Sequence, residues 1–185
     1  MSIDIGKELL LSSLSSFYDK NEHYKKILVS IIESKYQLSL RMIDWLVTHY
    51  SKNNSVVYWI SNNDNKIYEK CPTDIDNYQN YKKVNLYLDY RAQLKSYTKF
   101  NFDSFRRHDR ITFVIDSEKN LKIETTIGQL NFFRWAFTNN IIEYALIYKK
   151  EIYKSMIKIN NKEEKKNIII PKQDIINTKC FLCFD

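Results

Sequence analysis

Leu121-Lys122-Ile123-Glu124-Thr125-Thr126-Ile127-Gly128-Gln129-Leu130-Asn131-Phe132-Phe133-Arg134-Trp135-Ala136 is the stretch in which the chain changes its hydrophobic period. Its first five residues read as the second strand of a hairpin, returning from 110–116 across Ser117-Glu118-Lys119-Asn120. Thr126 and Gln129 then have the spacing of a capping box, in which a hydroxyl holds a free amide of the first helical turn. A strand that runs directly into a capped helix predicts an α+β fold.

Upstream, Val84, Leu86, Leu88 and Tyr90 alternate with Asn85, Tyr87 and Asp89, a period of two that predicts a strand over 84–90. Strands at 55–60 and 66–69 flank Ser61-Asn62-Asn63-Asp64-Asn65, a hairpin loop, and 70–82, with Pro72, reads as a loop. Ser39 is placed to cap a helix over 39–50 with the apolar stripe Leu40, Ile43, Leu46, Val47 and Tyr50; Trp45 and His49 lie off that stripe. Helices over 3–17 and 22–34 precede it.

Downstream, Asn140 and Glu143 repeat the capping-box spacing, so helices over 127–138 and 141–157 are expected to form a hairpin across Thr138-Asn139. The expected architecture is an antiparallel sheet of about five strands with a helical layer on one face. It forms a single domain over 1–158, of which 1–36 is an N-terminal helical part. Residues 159–185 read as a linker and tail, in which Ile168-Ile169-Ile170-Pro171 could add an edge strand.

Composition narrows the function classes. The chain has 185 residues, 44% hydrophobic and 28% charged, which suits a globular domain with a core that needs no disulfide or metal. Its glycines are Gly6 and Gly128 alone, which excludes glycine-rich phosphate loops and with them P-loop and Rossmann chemistry. An odd set of cysteines, Cys71, Cys180 and Cys183, points to a reducing intracellular compartment. No apolar run is long enough to span a bilayer, so a soluble protein without a membrane partner is expected.

Catalytic and metal signatures are weak. His23, His49 and His108 stand apart from any nucleophile motif, so the chain is not expected to be an enzyme. Cys180-Phe181-Leu182-Cys183 has the spacing of half a zinc site, but no second pair completes it, and neither metal nor cofactor is expected.

The charge is more informative. The formal net charge of +7 admits two readings, a polyanionic partner or the Lys-rich usage of A/T-rich codons. Its most pointed arrangement is the stretch 97–110, where Tyr97, Phe100, Phe102 and Phe105 lead into Arg106, Arg107, His108 and Arg110. Rings that stack on bases and guanidinium groups that hold phosphates are the materials of a nucleic-acid site. The competing reading is a core edge with inward rings and a solvated basic rim.

Arg91, Lys95 and Lys99 extend the strip. Arg134, set within an apolar helix stripe, must snorkel, meet an anionic ligand, or pair with a carboxylate such as Asp44 or Asp89.

Three blocks taken together resemble a known family. They are Ser39-Leu40-Arg41 through Asp44-Trp45 and Val47-Thr48; Tyr87-Leu88-Asp89-Tyr90-Arg91 through Leu94-Lys95 with Phe102-Asp103-Ser104-Phe105-Arg106-Arg107; and Glu124-Thr125-Thr126 through Gly128-Gln129-Leu130-Asn131-Phe132-Phe133-Arg134-Trp135-Ala136. Their order and spacing are similar to those of small uncharacterised proteins of nucleocytoplasmic large DNA viruses, the giant viruses. The resemblance implies a viral protein acting in the host cytoplasm, in a viral factory, in the nucleus or in the virion. It supplies no activity.

The expectation is therefore a non-enzymatic viral nucleic-acid-binding protein of genome handling or transcription, with DNA ahead of RNA as partner. Arg91, Lys95, Lys99, Arg106, Arg107, Arg110 and Arg134 are its candidate phosphate contacts. The alternative is a virion or scaffold component that binds other viral proteins through Trp45 and Tyr87.

Overall fold

The computed structural model describes residues 5–70, 72, 80–116 and 120–167, with side chains of the last helix described as far as Lys158. Cys71, Cys180, Cys183 and the Ile168-Ile169-Ile170-Pro171 segment lie outside the described residues.

Helix α6 (Ile127–Thr138) forms the centre of the molecule. It buries Leu130, Phe132, Phe133, Trp135, Ala136 and Phe137, so it is apolar nearly all round, and only a helix enclosed by other elements can be that. Helices α1 (Ile5–Lys20) and α5 (Leu86–Asn101) pack along it, and α7 (Ile141–Ile147) follows it in the chain. The Tyr18 hydroxyl donates to the Leu130 carbonyl at 2.8 Å, and Tyr24 of α2 (Glu22–Ile32) stacks on Phe137 at 4.6 Å.

The α+β class and the strand count of five expected from the sequence are present, but the strands divide between two antiparallel sheets where one was expected. In the first, β1 (Val57–Ser61) lies between β2 (Ile67–Tyr68) and β3 (Tyr81–Asn85). In the second, β4 (Ile111–Asp116) pairs with β5 (Leu121–Thr125) through a bulge between Val114 and Asp116. Phe113 and Ile123 point to the core, and Phe113 meets Tyr18 edge-on at 5.8 Å.

The strand expected over 84–90 is not one: β3 ends at Asn85, and α5 begins at Leu86. Asn85 caps the helix, its Oδ1 accepting the Leu88 amide at 3.3 Å while Asp89 Oδ2 accepts the Asn85 amide at 3.0 Å. Leu86, Tyr90, Leu94 and Tyr97 face the core at helical spacing, and Leu88 is 61% exposed. Seven residues of alternation are too few to separate a strand from the start of an i, i+4 stripe.

Local capping explains the other departures. Thr126 holds the Gln129 amide at 3.1 Å, but the Gln129 side chain goes to the Ser104 carbonyl and the Thr125 hydroxyl instead, so half of that capping box forms. The Asn140–Glu143 box does not form. Asn140 sits in the left-handed region (φ 49°) and donates through Nδ2 to the Asn65 carbonyl at 2.7 Å. The helix expected over 141–157 breaks at Tyr148 into α7 and α8 (Lys149–Asn167), whose backbone continues past the expected start of the linker.

The expected helix over 39–50 is α3 (Leu40–Trp45), capped by the Ser39 hydroxyl on the Met42 amide at 3.2 Å. It passes through a π-helical turn, Leu46–Tyr50, into α4 (Ser51–Asn53).

Candidate nucleic-acid interface

The segment joining α5 to β4 is held by polar groups at the start of α6. The Asp103 amide donates to the Gly128 carbonyl at 3.2 Å, Gln129 Nε2 to the Ser104 carbonyl at 2.8 Å, and Asn131 Nδ2 to the Asn101 carbonyl at 2.9 Å. From the other side, the buried Ser104 hydroxyl donates to Asp44 Oδ1 of α3 at 3.0 Å. Residues of all three sequence blocks meet at this loop. Gly128 permits the approach, since a Cβ there would lie 3.3 Å from both the Asp103 nitrogen and the Phe100 oxygen.

The rings of the stretch divide between inside and outside. Phe102 is fully buried and packs on Tyr97, Phe132 and Trp135, with centroids 6.3, 5.4 and 5.4 Å away. Phe100 is 63% exposed and Phe105 38%. Between Tyr97 and Phe100 the helix is interrupted at Thr98, whose φ of 60° and ψ of 167° are unfavourable for a β-branched residue. The interruption takes Phe100 off the inward stripe that Leu94 and Tyr97 follow.

The candidate cations also separate. Arg91, Lys95 and Lys99 stand four residues apart on the outside of α5, beside a groove of about 530 Å³. Arg107 and Arg110 are exposed on the loop. Arg106 is not free: its guanidinium pairs with Asp109 and lies 4.8 Å from the Phe100 ring centroid, leaving the side chain 14% exposed. Hydrogen bonding to Arg106 in turn holds the Asp109 carboxyl below its ordinary value.

Arg134 lies away from the loop. Its guanidinium donates to Ser13 Oγ at 3.0 Å and Asn131 Oδ1 at 2.7 Å, and neither Asp44 nor Asp89 is its partner. Asp44 instead accepts from Ser104, and Asp89 accepts the Asn85 amide. Arg134 is thus linked through Asn131 to Asn101 and positions the loop from behind.

It also lines a cavity of about 470 Å³ with Lys82, a cation that sequence reasoning left in a loop. Lys82 donates to the Thr138 carbonyl at 3.2 Å. Lys82 stands on the edge strand β3, whose start at Tyr81 falls within the loop expected over 70–82.

The titratable groups nearby are structural in character. Burial pushes the Asp44 carboxyl up, partly offset by the Ser104 hydrogen bond, and burial with the nearby Asp44 charge pushes Tyr90 up to about 12. Trp45 and Tyr87, the aromatics of the alternative reading, are half-buried. Trp45 stacks on His49 at 4.3 Å, and Lys52 lies 5.9 Å over the Tyr87 ring. Among the described residues no helix is long and apolar enough to cross a membrane.

Residues 4–179 match a family described as a family of unknown function, DUF7197. The chain is 30% identical over 172 residues to an uncharacterized protein of Acanthamoeba polyphaga mimivirus, which bears out the giant-virus resemblance. The match covers 91% of this chain and 61% of that relative, so the chain spans about three fifths of the curated relative it matches. No solved structure matches.

Proposed function

We propose that this chain, which belongs to the family of unknown function DUF7197 and is similar to a giant-virus protein, is a non-enzymatic nucleic-acid-binding protein. It holds phosphates along the outside of α5 and on the loop that follows. The observation that carries this reading is a set of five exposed cations, Arg91, Lys95, Lys99, Arg107 and Arg110. None of them takes part in an ion pair among the described residues. Cations left without carboxylates keep their field available for a polyanion, and releasing its counterions drives association.

A large DNA virus as the source puts DNA ahead of RNA, in genome handling or transcription within the infected cell or virion. Arg106 and Arg134 support the loop in this scheme and do not contact phosphate. The alternative, docking to another viral protein through Trp45 and Tyr87, finds both rings half-buried under neighbouring side chains.

Oligonucleotide binding across a salt series tests the proposal. If all five cations contact phosphate, log K falls with log salt at a slope of about −3.5 on a single strand. Arg107→Ala with Arg110→Ala should flatten that slope by about 1.4. No binding to any oligonucleotide at low salt would end the reading.

A further inference from the structure

The Phe100 ring gives the proposed site a feature that phosphate contacts do not require. An exposed aromatic ring costs hydration free energy, and most rings among the described residues are buried or half-buried. Phe100 is 63% exposed in the last turn of α5, seven and ten residues ahead of Arg107 and Arg110, where α5 enters a loop whose backbone is fastened at Asn101, Asp103 and Ser104. The Arg106 guanidinium lies 4.8 Å from the ring centroid, so the exposure belongs to the opposite face and the ring edge. Asp109 orients that guanidinium and neutralises it, which makes Arg106 a support for the ring. Phe100 also lines a recess of about 180 Å³ together with Arg110 and Lys7, so a cation stands beside the open ring.

Resting on the nucleic-acid reading above, we infer that the preferred ligand is single-stranded, with an unpaired base stacked on Phe100 and the adjoining phosphates at Arg107 and Arg110. A base inside a duplex already stacks on its neighbours on both faces and has no face to offer a side chain. A base in a single strand has one, and every base has a π-face, so this contact is tolerant of sequence. Phe105, 38% exposed five residues on, offers a second apolar surface to the same strand.

The test uses the full chain with Phe100→Leu, which keeps an apolar side chain at an exposed position and leaves the cations in place. Three probes of equal length are compared at one salt concentration: a single-stranded oligonucleotide, the duplex, and an abasic single strand that has phosphates without bases. Phe100→Leu is expected to weaken the single strand about fivefold or more and to leave the duplex and the abasic strand unchanged. Arg107→Ala with Arg110→Ala should weaken all three.

An unchanged affinity for the single strand in Phe100→Leu, or an equal loss on all three probes, overturns the inference while leaving phosphate binding intact. Failure of the unmodified chain to bind any probe overturns both.

Discussion

Asp44 illustrates how one side chain serves the loop at a cost to its own solvation. Its carboxylate is partly buried and accepts the Ser104 hydroxyl, and burial is the larger influence, so its pKa rises on folding. The folded state therefore holds the Asp44 proton more tightly than the unfolded chain does. Its contribution to stability is complete below the ordinary carboxylate value of 3.8 and is lost as pH rises through the raised value. Asp44→Asn can still accept from Ser104, and it should reduce the decline in urea midpoint between about pH 4 and pH 7. Asp44→Ala leaves the buried Ser104 hydroxyl without its acceptor and should cost about 1–3 kcal/mol throughout that range. Equal pH profiles for Asp44→Asn and the unmodified chain would refute this account.

At the scale of elements, the loop is shaped by the first turn of α6. Gly128 is tolerated there, despite the helix-propensity cost of about 1 kcal/mol, because a Cβ would lie 3.3 Å from the loop backbone, closer than ordinary van der Waals contact. Gly128→Val should destabilise the protein by about 1–3 kcal/mol in thermal unfolding, the range of an overpacked site. The same substitution on an exposed turn of a helix would cost little, so an unshifted midpoint would mean that the loop yields freely. The basic stretch was legible in the sequence, and so was the helix that supports it, through Thr126 and the apolar run of α6. What could not be read was that Arg91 and Lys95 share one side of a helix and line one groove with Lys99 beyond the break at Thr98, because 84–90 reads equally well as a strand.

For the molecule as a whole, α6 is enclosed by α1, α5 and α7, and Tyr58 of the first sheet donates its buried hydroxyl to the Asn139 carbonyl at 2.6 Å. Native-state hydrogen exchange should therefore find the slowest amides in α6, exchanging only with global unfolding, while those of the β4–β5 hairpin open at lower free energy. Hairpin amides as slow as those of α6 would contradict a core centred on that helix. The sequence by itself determined the α+β class, the helix over 127–138, the hairpin of β4 and β5 and the family relationship, because each is written in local periodicity, capping residues or motif spacing. Only the tertiary structure decided that Phe102 turns inward while Phe100 turns outward, that Arg106 is taken by Asp109, and that Arg134 works through Asn131. These outcomes depend on the break at Thr98, the turn of the loop between Arg106 and Asp109, and the contacts of Arg134 and Asn131 across the fold, none of which leaves a periodic trace along the chain.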